Sequence, residues 1–278
     1  QYRKIRNTLK FISWNLVDYD VNSKDVSYEK EDLYILNKLH QVVNNTINFF
    51  DKYDFASAMS EIMTFMSADL SSFYLDIDKD ILYCDEKDSK RRKAVQYVIY
   101  TMTKGLCLMW NPILSFTMDE VYSFIPGVSK KSPQLDDMPT ISNEYGEEYK
   151  TLFASFNKCR DMVLKALEDK RNEGLIGSST EASVNAAYDD EKLVNTLSVM
   201  DSDELARLFG VSSFTVTSGT PSAEVNKAEG AKCDRCRNIR RRCRSGYLFR
   251  RRGAADGTLG YACHIRKTVP FYRLQAHA

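Results

Sequence analysis

The sequence Leu-Ser-Ser-Phe-Tyr-Leu-Asp-Ile-Asp-Lys-Asp-Ile-Leu-Tyr occupies residues 70–83 and carries the most specific structural signal in the chain. Its apolar residues Leu70, Phe73 and Ile77 recur at the three- to four-residue spacing of a helix with one buried face. The same spacing starts at Phe55, so the stretch reads as the end of one long buried helix. We therefore expect these apolar positions to pack inside a helical protein.

Equivalent spacing on both sides of this stretch predicts further helices. The predicted helices cover residues 2–17, 33–50, 55–73, 95–109, 117–124 and 144–172. Residues 126–139 contain three Pro, one Gly and two Ser, which predicts a loop. Helices joined by short loops favour an antiparallel helical bundle over residues 1–173.

The pattern changes after Gly174. Residues 183–188 and 213–217 alternate like strands, and residues 191–200 and 203–209 resemble short helices. We therefore expect a mainly α protein with three parts. The parts are the bundle over residues 1–173, a small α/β unit over residues 174–226, and an irregular Cys- and Arg-rich tail over residues 227–278.

The net charge of +1 conceals two oppositely charged regions. Residues 232–278 hold two Lys, eleven Arg and two Asp, a net charge of +11, which leaves −10 for residues 1–231. A strongly basic tail favours a polyanionic partner, and the alternative is a disordered, solvated tail without one.

Composition also narrows the compartment and the class of protein. No apolar run approaches the roughly 20 residues that span a bilayer, so we expect no membrane association. The chain begins with Gln1 and shows no signal-peptide pattern, and we expect it to be part of a longer protein. Cys84, Cys107 and Cys159 fall at helical apolar positions, which predicts reduced core thiols and a cytoplasmic protein.

The first predicted helix has the pattern of a nucleic-acid-binding face. Arg3, Arg6, Asn7 and Lys10 fall opposite its apolar stripe. The cationic side chains suit backbone phosphates, and the amide suits a base or a sugar. An ordinary exposed polar face is the alternative. Trp14 lies on the same side and could stack on an unpaired base, but packing is favoured for it.

Cys233 and Cys236 have the spacing of half a zinc site. Four ligands close a structural site, and either Cys243 and Cys263 or Cys243 and His264 are available for the rest. A redox role is less favoured, because no thioredoxin-like βαβ pattern surrounds the motif.

A second group of candidate ligands is acidic: Asp76, Asp78, Asp80, Asp85 and Glu86. Their spacing does not fit an EF-hand, so a solvated helix end or loop is the better prediction.

Several segments, taken in order, resemble isoleucyl-tRNA synthetase. The first, Tyr-Arg-Lys-Ile-Arg-Asn-Thr-Leu-Lys-Phe, resembles the opening of that family's anticodon-binding domain. Asn-Pro-Ile-Leu followed by Phe-Thr is similar to another of its motifs, and Cys233-Asp-Arg-Cys236 resembles the start of its bacterial zinc module. The matching segments are residues 2–11, 53–55, 70–83, 111–120, 171–182 and 227–236.

The resemblance implies a bacterial-type anticodon-binding region that binds the anticodon stem and loop of tRNA(Ile), with Arg235 and a structural zinc contributing at the C-terminal end. It further implies a cytoplasmic, monomeric ligase that uses ATP and magnesium to attach isoleucine to tRNA. The ATP-binding motifs and the editing domain of the family do not occur in this sequence, so we expect tRNA binding without catalysis. The other partner is the rest of the synthetase chain, and DNA is not expected.

The resemblance ends near Asn238. Trp usually follows the second Cys in the family, whereas Arg237 does so here. We therefore expect an out-of-frame or aberrant tail beyond about Asn238, and with such a tail the charge of +11 is accidental and the zinc site is broken. Two alternatives stay open, namely a helical protein-interaction scaffold with a zinc ribbon and the corresponding region of a valyl- or leucyl-tRNA synthetase.

Overall fold

The computed structural model describes residues 1–23, 26–140, 148–232 and 238–240, with side chains omitted for residues 148–151 and for Arg240. These residues are mostly helical, with a small sheet near the C-terminal end, and the mainly α prediction is confirmed. The antiparallel order of the bundle and the character of the tail stay predictions.

Helices occupy most of the first 172 residues, close to the predicted positions. They are α1 (Tyr2–Trp14), α2 (Lys30–Asp51), α3 (Phe55–Thr64), α4 (Leu75–Cys84), α5 (Lys90–Trp110), α6 (Ser115–Tyr122) and α7 (Glu148–Asn172). Side-chain caps lie at the start of α3 and of α5. Asp54 accepts a hydrogen bond from the Ser57 amide, and Ser89 accepts one from the Arg92 amide.

Helices α3 and α4 are joined by a π-helical segment, Phe65–Tyr74, so the chain is helical from Phe55 to Cys84. The Ser72 hydroxyl donates to the Ser67 carbonyl at 2.8 Å, and the Leu75 amide donates to the Leu70 carbonyl. This wider turn differs from the predicted α-helix, yet Leu70, Phe73 and Ile77 are buried as expected. Because a π-helix turns by less per residue, it rotates the faces of α3 and α4 relative to one another.

The C-terminal unit surrounds a three-stranded sheet. Strand β1 (Ala182–Tyr188) lies at its centre, parallel to β2 (Ser213–Ser218) and antiparallel to β3 (Ser222–Lys227). Helices α8 (Glu191–Ser198) and α9 (Ser202–Phe209) form the crossover between β1 and β2, and α9 ends at Gly210 with φ of +67°. Strand β3 was not predicted. A two-residue pair follows, β4 (Ala231–Lys232) with β5 (Ile239–Arg240).

One apolar core is shared by the bundle and the sheet. Phe156 of α7 contacts Phe209 of α9 with ring centroids 5.2 Å apart, and Phe209 stacks on Phe214 of β2 at 3.7 Å. The prediction of reduced core thiols is also confirmed, since Cys84, Cys107 and Cys159 are buried and form no disulfide within the described residues. Burial raises the pKa of Cys107 to about 12 and that of Cys159 to about 11.

Within the described residues, none of the helices is both long and apolar enough to cross a membrane.

Candidate nucleic-acid interface

Helix α1 packs on the core along one side and presents a basic side to solvent. Ile5, Leu9 and Ile12 are buried, while the predicted residues Arg3, Asn7 and Lys10 are exposed together. From Tyr2 to Trp14 the helix carries four cationic residues and no acidic one. The structure therefore brings three of the predicted side chains onto one surface.

Arg6 lies at the edge of this surface, against α6. Its guanidinium contacts Glu120 with both terminal nitrogens, each 3.0 Å from a carboxylate oxygen. The Tyr2 hydroxyl and the Thr117 hydroxyl, 3.0 Å apart, join the same two helices. Arg6 and Glu120 are both about half exposed, and an exposed ion pair contributes only about 0–1 kcal/mol. A phosphate can therefore compete with Glu120 for Arg6.

Aromatic side chains continue the exposed side of α1. Trp14 is 43% exposed, so packing covers only part of it. Phe11 is half-buried and meets Tyr83 of α4 edge to face, with ring centroids 6.1 Å apart. Sequence reasoning used Tyr83 only as a family marker. Tyr83 ends the stretch of residues 70–83 and does not follow the spacing of its apolar residues. This position could have identified Tyr83 as a surface aromatic residue.

The remaining predicted residues lie in the C-terminal tail. Cys233, Arg235, Cys236, Cys243 and Cys263 are all outside the described residues, as is the tail beyond residue 240 whose reading frame was in question.

Two short strands, β4 and β5, lie on either side of the Cys-x-x-Cys motif in the sequence. Lys232 of β4 pairs with Ile239 of β5, so the two ends of the stretch that contains Cys233 and Cys236 lie side by side. Two cysteines separated by two residues have the sequence spacing of half a structural zinc site. Asn238 is buried and donates to Asp80 of α4 at 3.1 Å, which anchors this end of the chain to the bundle.

A buried group of charges joins the bundle to the C-terminal unit. We refer to Glu29, Glu31, Asp32, Asp78, Arg91 and Arg207 as the ion cluster. Arg207 of α9 contacts Asp78 of α4 at 2.5 Å and also bonds to Glu29 and Glu31. Arg91 of α5 lies 2.5 Å from Asp32 and 3.3 Å from Asp78. The prediction of a solvated Asp78 is therefore wrong, because this carboxylate is fully buried against two arginines.

Burial sets the protonation of the ion cluster. It raises the pKa of Glu29 to about 8 and that of Asp78 to about 7, although the neighbouring arginines act in the opposite direction. Burial opposes ionisation of Glu31 as well, but Arg207 and Arg91 lower its pKa to about 2. Of these three carboxyls, Glu31 is therefore the one that stays ionised throughout the neutral pH range.

The ion cluster also bears on metal binding. Glu29, Glu31 and Glu204 offer oxygen atoms within 4.8 Å of one another. Glu29 and Glu31 already bond to Arg207, so a protein cation fills the position that a metal ion would take. The ion cluster therefore has a structural role.

Comparison with known proteins finds relatives that match most of this chain. The model of one protein family, the anticodon-binding domain of tRNA ligase, matches residues 32–186. The isoleucine–tRNA ligase of Brevibacillus brevis is 38% identical over 255 residues, and that of Staphylococcus carnosus is 36% identical over 252 residues. The alignments cover 86% and 85% of this chain but 27% of each relative, so the chain spans about a quarter of their length. The resemblance to isoleucyl-tRNA synthetase, inferred from several segments taken in order, is confirmed.

Proposed function

The chain belongs to the family of anticodon-binding domains of tRNA ligases, and from this membership we propose that it binds the anticodon stem and loop of tRNA(Ile) as part of an isoleucine–tRNA ligase. Activation of isoleucine with ATP and magnesium belongs, in this proposal, to another part of the enzyme. We propose a cytoplasmic monomer with the domain boundaries 1–173, 174–226 and 227–278.

The exposed side of α1 carries the proposal. Arg3 and Lys10 project from a helix that has no acidic residue, which suits contact with successive phosphates. Asn7 lies between them and supplies an amide for a base edge or a ribose. Arg6 joins them when a phosphate replaces Glu120 as its partner.

The C-terminal end supplies a second contact. Cys233 and Cys236 would hold a structural zinc ion together with Cys243 and either Cys263 or His264, which requires that the tail beyond Asn238 is genuine. The ion would fix the backbone around Arg235, which we propose contacts the RNA as well. The anchoring of Asn238 to Asp80 would hold this module against the bundle.

The test is tRNA binding at several salt concentrations. Arg3→Ala and Lys10→Ala should each weaken binding of tRNA(Ile), and each should lower the salt slope by about 0.7–0.9, the value of one phosphate contact. Arg171→Ala and Lys192→Ala are the matched controls, because both residues are exposed on other helices, α7 and α8. Unchanged affinity in the α1 variants would refute the assignment of this surface.

Cognate selectivity separates the proposal from its rivals. The chain should bind tRNA(Ile) more tightly than tRNA(Val) or tRNA(Leu) at physiological salt. A protein-interaction scaffold would show no such preference, and the domain of a related ligase would prefer its own tRNA.

A further inference from the structure

The pair formed by Phe11 and Tyr83 lies beside the basic side of α1. The two ring planes meet at 88°, and Phe11, which is half-buried, fixes one edge of the contact. Tyr83 stays 56% exposed. Trp14 follows Phe11 by three residues and therefore lies on the same side of the helix. We call Phe11, Trp14 and Tyr83 the aromatic shelf.

A second aromatic pair shows what distinguishes the shelf. Tyr53 and Phe55 also meet edge to face, with centroids 6.4 Å apart and planes at 72°, and Tyr53 is 82% exposed. Asp51 precedes this pair and Asp54 lies between its two residues, while Lys52 is the one cation among its immediate chain neighbours. The rings are comparable, but only the shelf adjoins a helix with four cations and no acid.

One acidic residue of α4, Asp76, is compensated by cations. Asp76 is 2.8 Å from Lys79 and 3.6 Å from Arg160, so two cations compensate it. Asp80 accepts a hydrogen bond from Asn238. Because Asp80 precedes Tyr83 by three residues on α4, the contact with Asn238 lies on the same side of α4 as Tyr83.

We propose that the aromatic shelf stacks an unpaired base of the RNA loop whose phosphates contact α1. This inference rests on the proposed function and adds a base contact to it. Stacking suits an unpaired base because every base has a π face, and the adjoining cations hold the backbone that carries it. The exposed ring of Tyr83 and the half-exposed ring of Trp14 supply the stacking surface.

The test measures binding of an isolated anticodon stem-loop RNA of tRNA(Ile) to the chain. Tyr83→Ala should weaken binding about 5- to 150-fold, the range for loss of one stacked base. Tyr83→Phe should restore it, and Tyr53→Ala is the matched control that should bind normally. The salt slope should not change in Tyr83→Ala, because no phosphate contact is lost, whereas Arg3→Ala should lower it.

A second arm leaves the protein unaltered, so that a folding defect cannot imitate the result. A stem-loop whose loop nucleotides are abasic keeps its phosphates but loses its bases. The unsubstituted chain should bind it more weakly, and Tyr83→Ala should then cause no further loss. Normal binding by Tyr83→Ala, or an equal loss on intact and abasic loops, would overturn the shelf while leaving the phosphate contacts of α1 in place. Failure of the unsubstituted chain to bind any stem-loop would instead refute the proposed function.

Discussion

Replacing Arg207 with Gln should weaken the docking of the C-terminal unit on the bundle and destabilise the fold. Arg207 is fully buried and bonds to three carboxylates, which α2, α4 and the residue before α2 contribute. Breaking a buried ion pair by removing one partner costs about 3–5 kcal/mol, because the other charge is left unpaired. Glu29 and Asp78 can take up protons near neutral pH, which lowers the cost of leaving them without Arg207. We therefore expect a loss at the lower end of this range, about 3 kcal/mol at pH 7.5.

Urea unfolding measures this loss. With a slope of about 2–3 kcal/mol per molar urea for a chain of this size, the midpoint should fall by about 1–1.5 M. Arg171→Gln is the control, because the pair that Arg171 forms with Glu168 lies at the surface and is worth about 0–1 kcal/mol. The loss for Arg207→Gln should also be smaller at pH 5.5 than at pH 7.5, since the orphaned carboxyls are then more fully protonated. Equal midpoints for the two variants would refute the structural role of the ion cluster.

Three further outcomes follow from the same structure. The free energy of unfolding should fall as pH rises from about 5 to 8. The reason is that the folded chain still holds protons on Glu29 (pKa about 8) and Asp78 (pKa about 7) that the unfolded chain has released. A rise in stability over this pH range would contradict the protonation assigned to these carboxyls. Glu120→Gln should release Arg6 and strengthen tRNA(Ile) binding about two- to fivefold at low salt, and unchanged affinity would exclude Arg6 from the interface. The purified chain should carry about one zinc ion by elemental analysis, and Cys233→Ser should remove it; equal zinc content in both would refute the site.

Local patterns in the sequence were sufficient for the helices and for the basic side of α1. The spacing of Ile5, Leu9 and Ile12 predicted the buried side, and the same helical geometry placed Arg3, Asn7 and Lys10 opposite it. These relations hold within a few turns of one helix, so no knowledge of the tertiary fold was needed.

The parts that sequence reasoning missed depend on distant partners. Asp78 looked solvated because its partner Arg207 lies 129 residues later, in a helix whose docking no local pattern shows. Strand β3 escaped notice because it pairs along the edge of the sheet and buries only Val225, which leaves little alternation to detect. The contact between Phe11 and Tyr83 likewise joins two helices and becomes visible only when they pack.

The most direct test of the account is binding of the tRNA(Ile) anticodon stem-loop to the Arg3→Ala/Lys10→Ala double variant, measured against salt. Loss of two phosphate contacts should weaken binding about tenfold or more and reduce the salt slope by about 1.4, with thermal stability unchanged because both residues are exposed. The same affinity and the same slope as the unsubstituted chain would show that the RNA does not bind along α1.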